Sequence, residues 1–155
     1  MRLGLYGLFA LGTGLTSIPL FAAASFIDPS ILPTAIGITC GIFGGSSMAA
    51  YMMPKDKMLG YGRVFMGGLL GLIGMQLIGL GAAFFMGPNP LSLMLFRADT
   101  YLGILLFSGF IAYDTHTAIK EYESGNADHL GTSIQFVLDF WNILVRVISI
   151  FMNRD

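Results

Sequence analysis

Asp114, Asp139, Asn142 and Arg146 are the side chains whose placement in this chain demands a chemical reason. The first sits in Tyr113-Asp114-Thr115-His116, at the end of an apolar run. The others lie in Phe136-Val137-Leu138-Asp139-Phe140-Trp141-Asn142-Ile143-Leu144-Val145-Arg146, inside another apolar run. An ionised side chain near a bilayer centre costs from about 3 to over 10 kcal/mol, so such groups are rare there and usually functional. Two carboxylates held close together in a low-dielectric site cannot both ionise cheaply, and the pair can share a proton. That is the physical basis of a pH-sensitive latch, and the same oxygens suit a hard cation such as Ca²⁺. The structural alternative is that Asp139 and Arg146 neutralise one another while Asp114 lies near the interface at a helix end.

Two helices must position these groups. If one ends near Ile119 and the next begins near Ser133, Asp114 lies about five residues before the connection and Asp139 about six after it. At about 1.5 Å per residue, both then sit about 8–9 Å from the same membrane face. Asn142 and Arg146 follow Asp139 by three and seven residues, which aligns all three on one stripe. Phe136, Phe140, Ile143 and Val147 form the adjoining face, available to lipid or neighbours. A helix with such a stripe belongs inside a bundle, with the stripe lining a cavity or meeting another helix.

Composition sets the solvent. The 155 residues are 55% hydrophobic and 11% charged, whereas charged residues make up about a quarter of an ordinary globular sequence. This is a membrane composition. The abundance of Gly (21 residues) fits close helix packing, and a net charge of −1 offers no electrostatic footprint for nucleic acid. The single cysteine, Cys40, excludes an internal disulfide, supplies no metal-ligand pattern and reads as a packed small hydrophobe.

Read in order, the chain predicts an all-α, multi-pass transmembrane bundle of about five segments within one domain, 1–155. Residues 3–27 carry no charge and exceed the ~20 residues needed to span. Asp28-Pro29-Ser30 turns the chain into a second uncharged run, 29–54, in which Gly41, Gly44, Gly45 and Ala49 suit close helix contact. Lys55-Asp56-Lys57 and Arg63 form the most basic loop and predict the cytoplasmic side. Gly87-Pro88-Asn89-Pro90 breaks the third run near Phe85, leaving Arg97 and Asp99 at the opposite face and a fourth span at 100–119. The loop 120–132 is acidic on balance. The last segment, 133–151, is moderately apolar and by hydropathy can span fully or re-enter, with Trp141 packing in the bundle. His116 and His129 are isolated and read as helix-end or loop positions. No nucleophile elbow, metalloprotease motif or phosphate loop is present, so nothing points to an enzyme.

Asp28-Pro29-Ser30-Ile31-Leu32-Pro33-Thr34-Ala35, the Tyr113-Asp114-Thr115 step, the Gly125-Asn126-Ala127-Asp128 connection and Leu138-Asp139-Phe140 together resemble the Bax inhibitor-1 branch of the transmembrane Bax inhibitor motif family. The resemblance runs through essentially the whole chain in the right order. It implies a multi-pass membrane protein that leaks Ca²⁺ in a pH-dependent way and restrains apoptosis, with Ca²⁺ as cargo and no cofactor. It implies the endoplasmic reticulum membrane, with the mitochondrial inner membrane as the alternative. It maps the family's proton-sensing aspartate pair onto Asp114 and Asp139. Members of this family usually have six or seven membrane segments, and this chain begins at what would be the third. The last helix is then expected to be partly uncovered, so that the chain either assembles with a second copy or another partner or is a shortened product with altered or lost conductance.

Two functions compete. One is a proton-gated Ca²⁺ leak with Asp114 and Asp139 as gate and cation site. The other is a non-conducting scaffold that binds cell-death regulators or calcium channels through its Gly-rich helix faces.

Overall fold

The computed structural model describes residues 2–154, without the side chains of Lys55 and Asp56. The helices in chain order are α1 (Arg2–Ile27), α2 (Ile31–Met52), α3 (Lys55–Gly60), α4 (Gly62–Met86), α5 (Pro90–Glu123) and α6 (His129–Met152), with no strand among the described residues. All except the short α3 are long and apolar enough to cross a membrane. The all-α, multi-pass architecture is as expected, and the last segment is one continuous 24-residue helix of spanning length.

Helix α5 is the centre of the bundle, packed against α2, α3, α4 and α6, while α6 also meets α1 and α2. Ile111 of α5 and Ile143 and Ile148 of α6 are fully buried, joined by Phe107, Leu144 and Val147. Phe43 of α2 closes on Phe136 and Phe140 with ring centroids 5.6 and 6.0 Å apart. The face carrying Phe136, Phe140, Ile143 and Val147 therefore meets neighbouring helices rather than lipid. Trp141 packs as expected, tilted against Phe21 of α1 at 5.7 Å. Large apolar side chains such as Leu8, Leu11, Phe84, Phe85 and Leu105 point outward, as a hydrocarbon solvent allows. Hydroxyls inside the helices bond their own backbone: Thr39 Oγ1 donates to Ala35 O at 2.7 Å and Ser149 Oγ to Val145 O at 2.9 Å.

Small residues do their packing elsewhere than expected. Gly41, Gly44 and Gly45 of α2 have open space where a side chain would stand. The close approach is between α4 and α5, where Phe65 lies against Gly109 and Leu106 against Gly68. Cys40 is exposed on α2 rather than packed.

The largest departure is the start of α5, which begins at Pro90 and not near Thr100. Asn89 caps it: its side chain accepts from Ser92 N at 2.8 Å while Ser92 Oγ receives the Asn89 N–H at 3.4 Å, and Pro90 follows at the first helical position. The Asn89 amide also donates to Ala82 O and Gly87 O, at 3.1 and 2.9 Å, which ties the end of α4 to the start of α5. Gly87 takes a φ of 71° to make the turn. So the Gly-Pro-Asn-Pro segment that ends one helix starts the next. Asn89→Ala is expected to lower stability by about 1–2 kcal/mol through loss of this cap, read as a lower unfolding midpoint in detergent. At its other end α5 continues to Glu123, so the connection to α6 is short. Its 34 residues extend about 51 Å, beyond a ~30 Å hydrocarbon core.

Candidate functional site

Asp114 and Asp139 come from α5 and α6, which leave and re-enter the same end of the bundle. Asp114 lies nine residues before Glu123 and Asp139 ten after His129, about 14 and 15 Å from those helix ends. The matched depth expected from spacing holds, at a deeper level because both helices are longer than expected. The two carboxyl groups lie within hydrogen-bonding range of each other, and both residues are buried, at 7% and 5% exposure. Asp139 Oδ2 has no N–H or O–H partner among the described residues. Asp114 is therefore not an interfacial residue at a helix end.

Asn142 and Arg146 continue the α6 stripe, but they serve a second cluster. Arg146 does not neutralise Asp139; its Nη2 pairs with Asp99 Oδ2 at 3.3 Å, and its Nε donates to Asp99 O at 3.4 Å. Asn142 accepts from Arg146 Nη1 through Oδ1 at 3.2 Å and through its backbone oxygen at 3.3 Å. Gln76 of α4 donates to the same Asp99 Oδ2 at 3.0 Å. Three helices thus meet in one buried polar knot. The guanidinium lies over the Phe107 ring, 5.2 Å from its centroid, a cation–π arrangement in a desolvated setting.

Gly103 makes the passage possible, because a Cβ there would overlap the Arg146 side chain. Gly103→Ala is expected to displace the guanidinium and cost about 1–3 kcal/mol, the usual range for overpacking, measurable as a drop in unfolding midpoint in detergent.

Asp99 is the residue that sequence reasoning misplaced. Expected at the opposite membrane face, just before the fourth span, it lies inside α5 and is only 7% exposed. The signal was there: Asp99, Gly103, Phe107, Ile111 and Asp114 recur at helical spacing and are all buried. Extending the helix back to Pro90 would have put both aspartates on one stripe. His116 is likewise misassigned, being 2% exposed within α5 with both ring nitrogens unpartnered among the described residues.

Among the described residues, no three His, Cys, Asp or Glu side chains converge to hold a metal. A cation meeting Asp114 and Asp139 would have to complete its six to eight oxygen ligands with water or backbone carbonyls. Between α1 and α6 lies an apolar groove of about 430 Å³ lined by Phe9, Ile134, Val137 and Trp141 among others, so the first half of α6 is open on one side.

A family profile described as "Inhibitor of apoptosis-promoting Bax1" matches residues 1–155. The chain is 34% identical over 158 residues to Bax inhibitor 1 of Mus musculus, a match covering 99% of this chain and 62% of that protein. It is 33% identical over 154 residues to Bax inhibitor 1 of Homo sapiens, covering 99% and 62%. To Bax inhibitor 1 of Arabidopsis thaliana it is 30% identical over 154 residues, covering 99% and 60%. The chain thus spans less than two thirds of the length of these relatives. No solved structure gives a significant match. With five helices of spanning length and a family profile matched from end to end, the chain is a multi-pass membrane protein belonging to the Bax inhibitor-1 family.

Proposed function

We propose that this protein provides a proton-controlled Ca²⁺ leak and restrains apoptosis through it, with Asp114 and Asp139 as gate and cation-contact site. The observation that carries this reading is the pairing of two buried carboxyls across the α5–α6 seam, with Asp139 Oδ2 lacking any other donor among the described residues. Two carboxyls can hydrogen-bond only when a proton lies between them. With that proton the seam is latched. Without it, two like charges face each other in a low dielectric, and the seam is pushed apart or bridged by a hard cation. Asn142 and Arg146 are the supporting stripe, anchoring α6 to Asp99 so that movement is confined to the aspartate end. The proposed location is the endoplasmic reticulum membrane, with the mitochondrial inner membrane as the alternative.

The test is Ca²⁺ efflux from liposomes carrying the purified chain. Efflux should rise with pH, by at most about tenfold per unit, the limit for release of a single proton. Absence of efflux from folded protein at every pH would sink the reading.

A second reading is favoured by one observation. Gly4, Gly7, Gly12 and Gly14 of α1 and Gly41, Gly44 and Gly45 of α2 all have open space where a side chain would stand. Small residues on an open face permit close approach of another membrane helix. A non-conducting scaffold for cell-death regulators, calcium channels or a second copy would use these faces. Such a protein would keep partner binding and cell-death protection in Asp114→Asn and Asp139→Asn.

A further inference from the structure

Two adjoining clefts open where α6 ends, remote from the α5–α6 connection. The outer one, about 550 Å³, includes Arg154, which stands just past the end of α6. The inner one, about 490 Å³, lies between α4, α5 and α6, and the two share Arg97, Thr100, Ser149 and Asn153. The inner cleft reaches Val145, seven residues before the end of α6 at Met152 and so about 10 Å along its axis. Its apolar residues Leu80, Leu93 and Phe96 lie toward the α4–α5 turn, while Gln76, Asp99 and Arg146 line it within the bundle.

That polar lining does not satisfy itself. Asp99 Oδ2 takes the bonds from both Arg146 and Gln76, while Asp99 Oδ1 is buried with no N–H or O–H partner among the described residues. A carboxylate oxygen without a donor is costly in a dry site, and ionisable groups inside a membrane bundle pair with one another or face water. Acyl chains offer no donor, whereas water does. At roughly 30 Å³ each, the inner cleft has room for about 16 waters.

Beyond the knot the seam turns apolar. The Phe107 ring lies under the Arg146 guanidinium, 5.2 Å from it, and Ile143 and Ile111 follow, both fully buried. From Phe107 to Asp114 is seven residues, about 10 Å along α5. We propose that the inner cleft is a water-filled crevice that ends at Phe107, and that Phe107, Ile111 and Ile143 are the dry layer between it and the aspartate pair. Its role in conduction rests on the leak proposed above: the crevice is then the aqueous approach to the latch from the far end of the bundle, and an ion crosses only the dry layer.

The test is thiol labelling of the full chain in proteoliposomes, in a Cys40→Ala background, by a charged, membrane-impermeant methanethiosulfonate present on both sides. Cysteine replaces Val145 or Ser149 in the crevice, Leu105 on the outer surface and Ile143 in the dry layer. The register that pairs Asp114 with Asp139 sets Leu105 opposite Ile148, about one turn nearer the end of α6 than Val145, so depth alone would favour labelling at Leu105. Only a thiolate reacts, and a thiol raised by about two pH units in hydrocarbon holds about a hundredfold less of it. Val145→Cys should therefore label about a hundredfold faster than Leu105→Cys, while Ile143→Cys stays unlabelled. Ser149→Cys, nearly level with Leu105 and the smallest change of shape, should label at least as fast as Val145→Cys. A melting curve for each variant shows that it is folded. Labelling of neither crevice cysteine faster than Leu105→Cys would overturn the crevice, and labelling of Ile143→Cys at the crevice rate would overturn the dry layer. Labelling needs no ion flux, so a dry cleft and an absent leak are distinguishable results.

Discussion

Asp139→Asn is expected to leave Ca²⁺ efflux low at every pH, whereas the unmodified protein responds across the titration of the pair. An asparagine amide can donate to the Asp114 carboxylate whatever the pH, so the seam stays latched without a titratable proton. Asp114→Ala has the opposite sign: the latch has no second half, and efflux should be raised and flat with pH. The unmodified protein should be lowest at acid pH, where the bridging proton is present, and should rise as it is lost, by at most about tenfold per unit for one proton. Efflux ratios measured at two pH values in proteoliposomes, for these three proteins, separate a latch from a merely structural contact. A structural contact would change melting behaviour in both variants and leave the pH response of any flux unaltered. Identical pH profiles in folded Asp139→Asn and the unmodified chain would remove Asp139 from the gate.

Arg146→Met is expected to be among the most destabilising single substitutions in this chain. It would leave Asp99 buried with its cation gone, and breaking one side of a buried ion pair costs about 3–5 kcal/mol. Gln76 still donates to Asp99 Oδ2 at 3.0 Å, so the lower part of that range applies. The loss also removes the contact over Phe107 and the bonds to Asn142. The double variant Asp99→Asn with Arg146→Met should recover much of the stability, because a neutral amide no longer needs the guanidinium. Denaturant unfolding in mixed micelles, arranged as a double-mutant cycle, measures the coupling directly. Additive effects would mean that Asp99 and Arg146 do not act as a pair.

The α5–α6 seam has two lengths of different chemistry. At one end two like groups meet, an arrangement that can be switched by a single proton. Further along the seam, opposite charges are locked across three helices, an arrangement that resists switching. On the proposed gating, α6 would move at its aspartate end and stay fixed at Asp99.

Much of this protein was legible as sequence because membrane hydrocarbon is an exacting solvent. The uncharged runs had to be helices, since no other open structure satisfies its backbone there, and helices of spanning length lie where those runs do. Asp114 and Asp139 stood out for the same reason, and their equal distances from one connection were sufficient to place them at one depth. Partner choice was not legible. Asp139 and Arg146 share a stripe of α6, and from the stripe alone they could as well have paired with each other. The pairing depends on α5 starting at Pro90, which carries Asp99 into the bundle, and on Gly103, which leaves a path for the guanidinium. It depends as well on Gln76 arriving from α4. The glycines behaved alike: composition announced close packing, but only the assembled bundle showed that α4 and α5 use it while α1 and α2 leave theirs open. Hydropathy reports how a segment partitions between water and lipid. Which buried groups meet is set by the rotation and register of each helix, and those are fixed only when all of them pack.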